Sequence, residues 1–270
     1  MKQMIRIAQL VRRYFLLWAK LTVNSFISAL ATRTSAALFF LGKTLRVVLF
    51  LVFMTTLFTK SSTFASFTVY QAMFFFLSFT IMDTITQLFF REVYRFRSLI
   101  VTGDFDLVLV KPMSPLFRAL AGGADPLDLI MLVPYVGALM YVAFHVGPVS
   151  LLGIFFYLIL FANGFLIATG FHILILALAV MTTEIDHAVM IYRDVTSMGR
   201  FPVDIYHEPL RSIITFVVPV GVMMTFPVKV MLGLLSISFI LVSLGLGMVF
   251  FIISVRIWNW ALLRYTSASS

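Results

Sequence analysis

Residues 129–183 read LIMLVPYVGALMYVAFHVGPVSLLGIFFYLILFANGFLIATGFHILILALAVMTT, 55 positions without one Lys, Arg, Asp or Glu, bounded by Asp128 and Glu184. At about 1.5 Å per residue a single helix of that length is far too long for a hydrocarbon core of about 30 Å. The stretch must be a hairpin. Its break falls at His145-Val146-Gly147-Pro148-Val149-Ser150, because Gly and Pro together punctuate helices. Two spans follow, near 127–146 and 150–181. Working outward, apolar stretches at about 37–59 and 70–90 precede them, and others at about 211–230 and 232–256 follow. The expectation is an all-α integral membrane protein with six transmembrane helices in a single domain over 1–270.

Composition agrees. The chain is 61% hydrophobic and 11% charged, whereas a soluble domain carries about 25% charged residues. The six spans and their connections leave no room for a sizeable soluble catalytic domain. The chain has no cysteine, which excludes disulfides, thiolate metal sites and a cysteine nucleophile. Lys and Arg number 20 against 11 Asp and Glu, an excess that in a membrane protein marks cytoplasmic loops before it marks nucleic acid. With the N-terminus inside, 16 basic residues from Lys2 to Arg264 are cytoplasmic, Lys60 and Lys229 are external, and Lys43 and Arg46 lie in or near the first span. Both termini are then expected inside. The outer loops, Lys60 to Thr68 and His145 to Ser150, are short, and the inner ones, Arg91 to Pro126 and Thr182 to Leu210, are long. Residues 1–36 read as a basic amphipathic interfacial helix, since Lys2, Arg6, Gln9, Arg13, Lys20 and Asn24 recur opposite Ile7, Leu10, Val11, Leu17, Trp18 and Leu21.

Two spans look irregular. The fourth apolar stretch is longer than a straight crossing requires, so it tilts, extends or breaks near Gly164 or Gly170. The fifth carries Pro219, Gly221 and Pro227, as a plain proline kink or as a re-entrant element beside a pathway. Within the second span, Thr80, Asp83, Thr84 and Gln87 form one polar stripe that should face the bundle or water. Arg46 on the antiparallel first span has a similar depth. The expectation is an Arg46–Asp83 pair, as a structural tie or at the entrance of a substrate route.

Several chemistries have no motif here. The phosphate loop G-x-x-x-x-G-K-[ST] is missing, so any ATPase is another subunit. Glu184 and His187 form one Glu-x-x-His pair, which without further carboxylates is no di-metal site. His172 in an apolar helix reads as a structural histidine. The inner loop Arg91 to Pro126 instead mixes charges with Phe105, Leu107, Leu109 and Leu116, as a docking segment would.

In that loop Gly103-Asp104-Phe105-Asp106 followed by Leu109-Val110-Lys111-Pro112 resembles the ABC type-2 permeases, more narrowly the small six-helix branch encoded beside an ATPase subunit. A second match is Gly199-Arg200-Phe201-Pro202 with Arg211, Val218-Pro219 and Phe226-Pro227. The resemblance implies the membrane subunit of an ATP-driven exporter. It would have no cofactor of its own, with Mg-ATP in two copies of a partner ATPase subunit. Its other partners would be a second permease, identical or related, and the lipid of a bacterial inner membrane, with no nucleic acid. It assigns Gly103, Asp104, Phe105, Asp106, Lys111 and Pro112 to coupling and docking, and Gly199, Arg200, Phe201 and Pro202 to a second cytoplasmic contact. The rival reading is a gradient-driven carrier acting without an ATPase. The substrate stays open.

Overall fold

A computed structural model describes residues 2–31, 33–60, 67–182 and 185–266, and every regular element among them is helical. Five helices are long and apolar enough to cross a membrane, at 36–58, 69–101, 126–143, 151–182 and 237–262, and a sixth stretch is a pair of helical arms bent by 77°. Glu184 and the loop at 61–66 lie outside the described residues.

Local chemistry sets the helix starts. Helix α1 (Lys2–Ala31) precedes α2 (Arg33–Lys60). Helix α3 (Val69–Phe90) opens on a capping box in which Thr68 and Gln71 exchange side-chain bonds with each other's backbone amides, satisfying two N–H groups that a helix start leaves bare. A 3-10 turn at Arg91–Arg95 carries α3 into α4 (Phe96–Val101), so this helical run extends past the expected end near residue 90. The charges at that point do not stop it, because Arg91 pairs with Asp125 at 2.6 Å and Glu92 with Arg118 at 2.7 Å. Gly103, at φ +77°, turns the chain into α5 (Asp104–Leu109), a conformation in which a Cβ is strained. Ser114 and Asp125 then cap α6 (Pro115–Leu120) and α7 (Pro126–Ala143), each with proline at the first turn, where its missing N–H costs nothing.

Helix α8 (Leu151–Thr182) is unbroken at Gly164 and Gly170, and α12 (Ile237–Leu262) packs parallel to it. Small residues let the helices approach. A Cβ on Gly247 would lie 2.1 Å from Asn163 Oδ1, and one on Gly170 would lie 2.8 Å from the Phe250 ring. Asn163 Nδ2 donates to the Ser243 carbonyl at 2.9 Å, which fixes the register. Helix α3 is central, with 78% of its spanning window buried, whereas that of α2 is 11% buried.

The bundle has a turn end, carrying His145–Ser150, and a loop end, carrying Arg91–Pro126. Helix α1 and the C-terminal end of α12 both lie at the loop end. Arg13 donates to the Pro112 carbonyl, and Trp258 sits among Phe96 and Phe105.

Residues 185–208, expected as a cytoplasmic loop, instead climb through the bundle. Helix α9 (Ile185–Ser197) starts at the loop end, where Asp186 pairs with Arg97 at 3.1 Å, and runs up α8 until Tyr192 meets His172 with ring centroids 4.7 Å apart. Beyond it the Val203 amide donates to Thr225 Oγ1, and Asp204 reaches Lys229. The chain then doubles back through α10 (Leu210–Ser212) and a π turn to Val218, bends, and leaves through a second π turn and α11 (Phe226–Met231), which ends beside Gly153 at the turn end. Pro219 causes the bend, because it lacks an N–H and excludes α geometry at Val218, whose φ and ψ are −109° and 87°. The stretch expected as a span near 211–230 is thus an angled hairpin with both outer limbs near the turn end, since Arg211 and Lys229 share Asp204. The apolar stretch suggests a crossing there because both limbs are apolar. The buried Ile185 and Thr196 on α9 were hidden among its charges.

Candidate functional site

The loop end carries the first candidate surface. Phe105 is 0% exposed, edge-on to Phe96 at 5.1 Å and Tyr265 at 5.3 Å. It anchors α5 onto α12 and presents nothing to a partner, which corrects the expectation that it docks. Its neighbours do face outward: Val101, Leu107 and Val110 are 58%, 59% and 81% exposed, beside exposed Asp104, Lys111 and Pro112. Asp104 accepts from Thr102 Oγ1 at 2.7 Å, while half-buried Asp106 lies beside the Tyr265 phenol. Burial, with that carboxylate, pushes the phenol above its ordinary value.

Helix α1 straps this surface down. Arg13 Nη2 donates to the Pro112 carbonyl at 2.6 Å, the Ser114 amide donates to Tyr14 Oη at 3.0 Å, and the Ala124 amide donates to Thr22 Oγ1 at 3.0 Å. Gly123, at φ +110°, lies so close to α1 that a Cβ would be 2.6 Å from the Leu21 carbonyl. A cavity of about 490 Å³ opens beside this contact, reaching Asn24, Phe39 and Arg91.

The second candidate is a polar recess between α2, α3 and α7, where Lys43, Arg46, Thr80, Asp83, Thr84 and Tyr135 meet. Arg46 and Asp83 share it, as their depths predict, yet no ion pair joins them among the described residues. Asp83 Oδ2 accepts from Gln87 Nε2 at 2.8 Å, one helical turn away. Thr80 and Thr84 bond back to carbonyls of their own helix. The interhelical tie is made by residues the sequence did not single out. Lys43 of α2 hydrogen-bonds fully buried Asp128 of α7, and Arg91 reaches Asp125 at 2.6 Å and Asp128 at 3.7 Å. The signal available was Asp125 and Asp128, three apart at a helix start.

Gly199, Arg200, Phe201 and Pro202, expected as a second cytoplasmic contact, lie inside the bundle. Gly199 is buried against Met224, the Arg200 guanidinium stands 5.8 Å from the Phe79 ring, and the Phe201 ring lies 5.7 Å from Phe50. Phe79 is ten residues from the start of α3, about 15 Å into the bundle. The segment sits there because Phe201 and Pro202 belong in an apolar core and Gly199 tolerates close packing. Arg200 therefore joins Arg46 and Asp83, which act on it electrostatically, as does Arg193.

A family model described as "ABC-2 family transporter protein" matches residues 44–269. The chain belongs to the ABC-2 transporter family. No curated protein and no solved structure matches it. As a member of this family the protein is a multi-pass membrane transport protein, and the chain itself is not an enzyme. The matched region of this ABC-2 protein includes the Arg91–Pro126 loop and all of the recess except Lys43, and it excludes the whole of α1.

Proposed function

We propose that this ABC-2 protein is the permease subunit of an ATP-driven exporter in a bacterial inner membrane, pairing with a second permease, identical or related, and docking an ATPase subunit on each loop end. The single observation that carries the reading is the α2 face. Arg46 is exposed ten residues into an apolar span whose window is 11% buried. A guanidinium facing lipid at that depth is costly, so the face is closed by a second bundle or lines a polar pathway between two bundles. Six crossings with both termini cytoplasmic accompany this reading. Helix α9 with residues 198–208 then makes the fifth crossing, and the hairpin around Pro219 enters from the outer side.

The exposed Val101, Leu107 and Val110, flanked by Asp104 and Lys111, have the mixed apolar and charged character of a docking patch. ATP with Mg²⁺ binds and is hydrolysed in the partner subunit. Closure of two such subunits pulls on α5, and Phe105 passes the motion to α12 and to the end of α8. Differential affinity of the nucleotide for the closed pair shifts the permease between inward-open and outward-open states.

The test is purification of the tagged permease from its native membrane. An ATPase subunit is expected with the unaltered chain and is lost with Val110→Asp, whose spans still fold. Purification of an active transporter with no ATPase would favour the gradient-driven alternative.

A further inference from the structure

Several cations elsewhere in the bundle find carboxylates. Lys43 and Arg91 share Asp125 and Asp128, Arg118 has Glu92, and Arg211 and Lys229 share Asp204. Arg46, Arg193 and Arg200 take part in no ion pair among the described residues. Asp83, the carboxylate among them, is already hydrogen-bonded to Gln87. Arg200 also keeps a buried Nε that has no hydrogen-bond partner. A pair of identical chains does not repair the imbalance, because two copies of Asp83 face four arginines, Arg46 and Arg200 of each chain.

Guanidinium groups are the side chains that hold carboxylate and phosphate oxygens in fixed, often bidentate geometry. Here they adjoin an apolar bed: Arg200 stands over Phe79, and Phe201 leans on Phe50, which continues to Phe53 at 6.1 Å, a ring 52% exposed. A charged head and an apolar body are accommodated side by side. We propose that this face binds an anionic amphiphile, a molecule with one phosphate or carboxylate head and an apolar chain. The head lies between Arg46 and Arg200, and the chain runs along Phe50 and Phe53. The anion supplies the charge that the chain lacks, and Asp83 sets how much of it is needed. This deepens the pathway reading and rests on it.

The test uses the full-length permease in phosphatidylcholine nanodiscs, with dodecyl phosphate and dodecyltrimethylammonium as probes. Dodecyl phosphate should bind about tenfold more tightly than its cationic counterpart, and Arg46→Gln and Arg200→Gln should each weaken it about tenfold. Arg200→Lys should keep most of the binding, and Arg264→Gln, a loop-end change over Trp260, should change nothing. Thermal unfolding separates lost binding from lost fold, and exposed Arg46 carries the test if an Arg200 variant does not fold. Competition by phosphatidylglycerol in the disc identifies a membrane lipid as the source, and its failure to compete identifies a free amphiphile; both support the site. Equal binding of the two probes, or unchanged binding in Arg46→Gln, would overturn it. Disulfide trapping of Leu49→Cys, in a chain with no other cysteine, tests pairing along α2 separately, so the two ideas fail by different measurements.

Discussion

Arg13 and Pro112 are joined across 99 residues by a 2.6 Å hydrogen bond from guanidinium to carbonyl. With the Tyr14 and Thr22 contacts, it makes α1 part of the loop-end surface rather than a separate membrane anchor. Arg13→Ala should speed hydrogen exchange at the Ser114 and Ala124 amides by about tenfold each, since local opening of a strap costs little beyond its own bonds. Unchanged exchange at both amides would detach α1 from the loop.

Phe105 and Val110 separate anchoring from docking. Phe105→Ala empties a fully buried site and should cost ~3 to 5 kcal/mol of stability. Val110→Asp, at a position 81% exposed, should leave stability within about 0.5 kcal/mol and abolish ATPase co-purification. Thermal unfolding and pull-down on the same two variants decide the assignment. A stable Phe105→Ala protein would return that ring to the partner surface.

Asp204 clamps both limbs of the bent hairpin, 2.6 Å from Arg211 and 2.8 Å from Lys229. Asp204→Asn should cost about 2 to 3 kcal/mol, less than the ~3 to 5 of a fully buried pair because Arg211 is half exposed. Accelerated proteolysis between Tyr206 and Ser212 would report the released limb. A neutral effect on stability would remove the clamp.

Gly247→Ala places a methyl against Asn163 and should part α8 from α12, costing about 1 to 3 kcal/mol. Asn163→Ala in the same chain relieves the clash, so the double variant should be less destabilised than the sum of the singles. Strict additivity would contradict the contact.

Tyr265 predicts an alkaline limit. Its phenol is raised above the ordinary value of 10.0 by burial and by Asp106. The folded state therefore holds that proton more tightly than the unfolded chain does. The contribution is complete below the unfolded pKa, about 10, and is lost as pH rises through the folded value. Tyr265→Phe should flatten the stability profile above pH about 10, and an unchanged slope would take Tyr265 out of it.

The hairpin at Gly147-Pro148 was legible because a charge-free run longer than any bilayer has to break, and Gly and Pro show where. Asp83 and Arg46 were correctly given similar depths, since helical rise is nearly constant. What escaped was partner choice. Lys43 lies three residues from Arg46 on the same helix, and spacing alone does not say which of them finds a carboxylate. Helix α9 escaped for another reason: its surface carries Asp186, Arg193 and Asp194, so average polarity assigned it to water although its Ile185 and Thr196 are buried. Phe105 read as a docking residue because a bulky ring among charges has the same composition whether it points in or out.

The strap of α1 also bears on the order of assembly. Its three bonds to the loop reach 99, 100 and 102 residues ahead. A ribosome must therefore translate past Ala124 before all three bonds of α1 can form. Its Leu10, Val11 and Phe15 stay exposed even when α1 is docked, so a bilayer surface can cover them before and after. The helix synthesised before the spans completes its docking only after two of them have been made, and a nascent chain halted before Gly122 would hold α1 by Pro112 and Ser114 without the bond from Ala124 to Thr22.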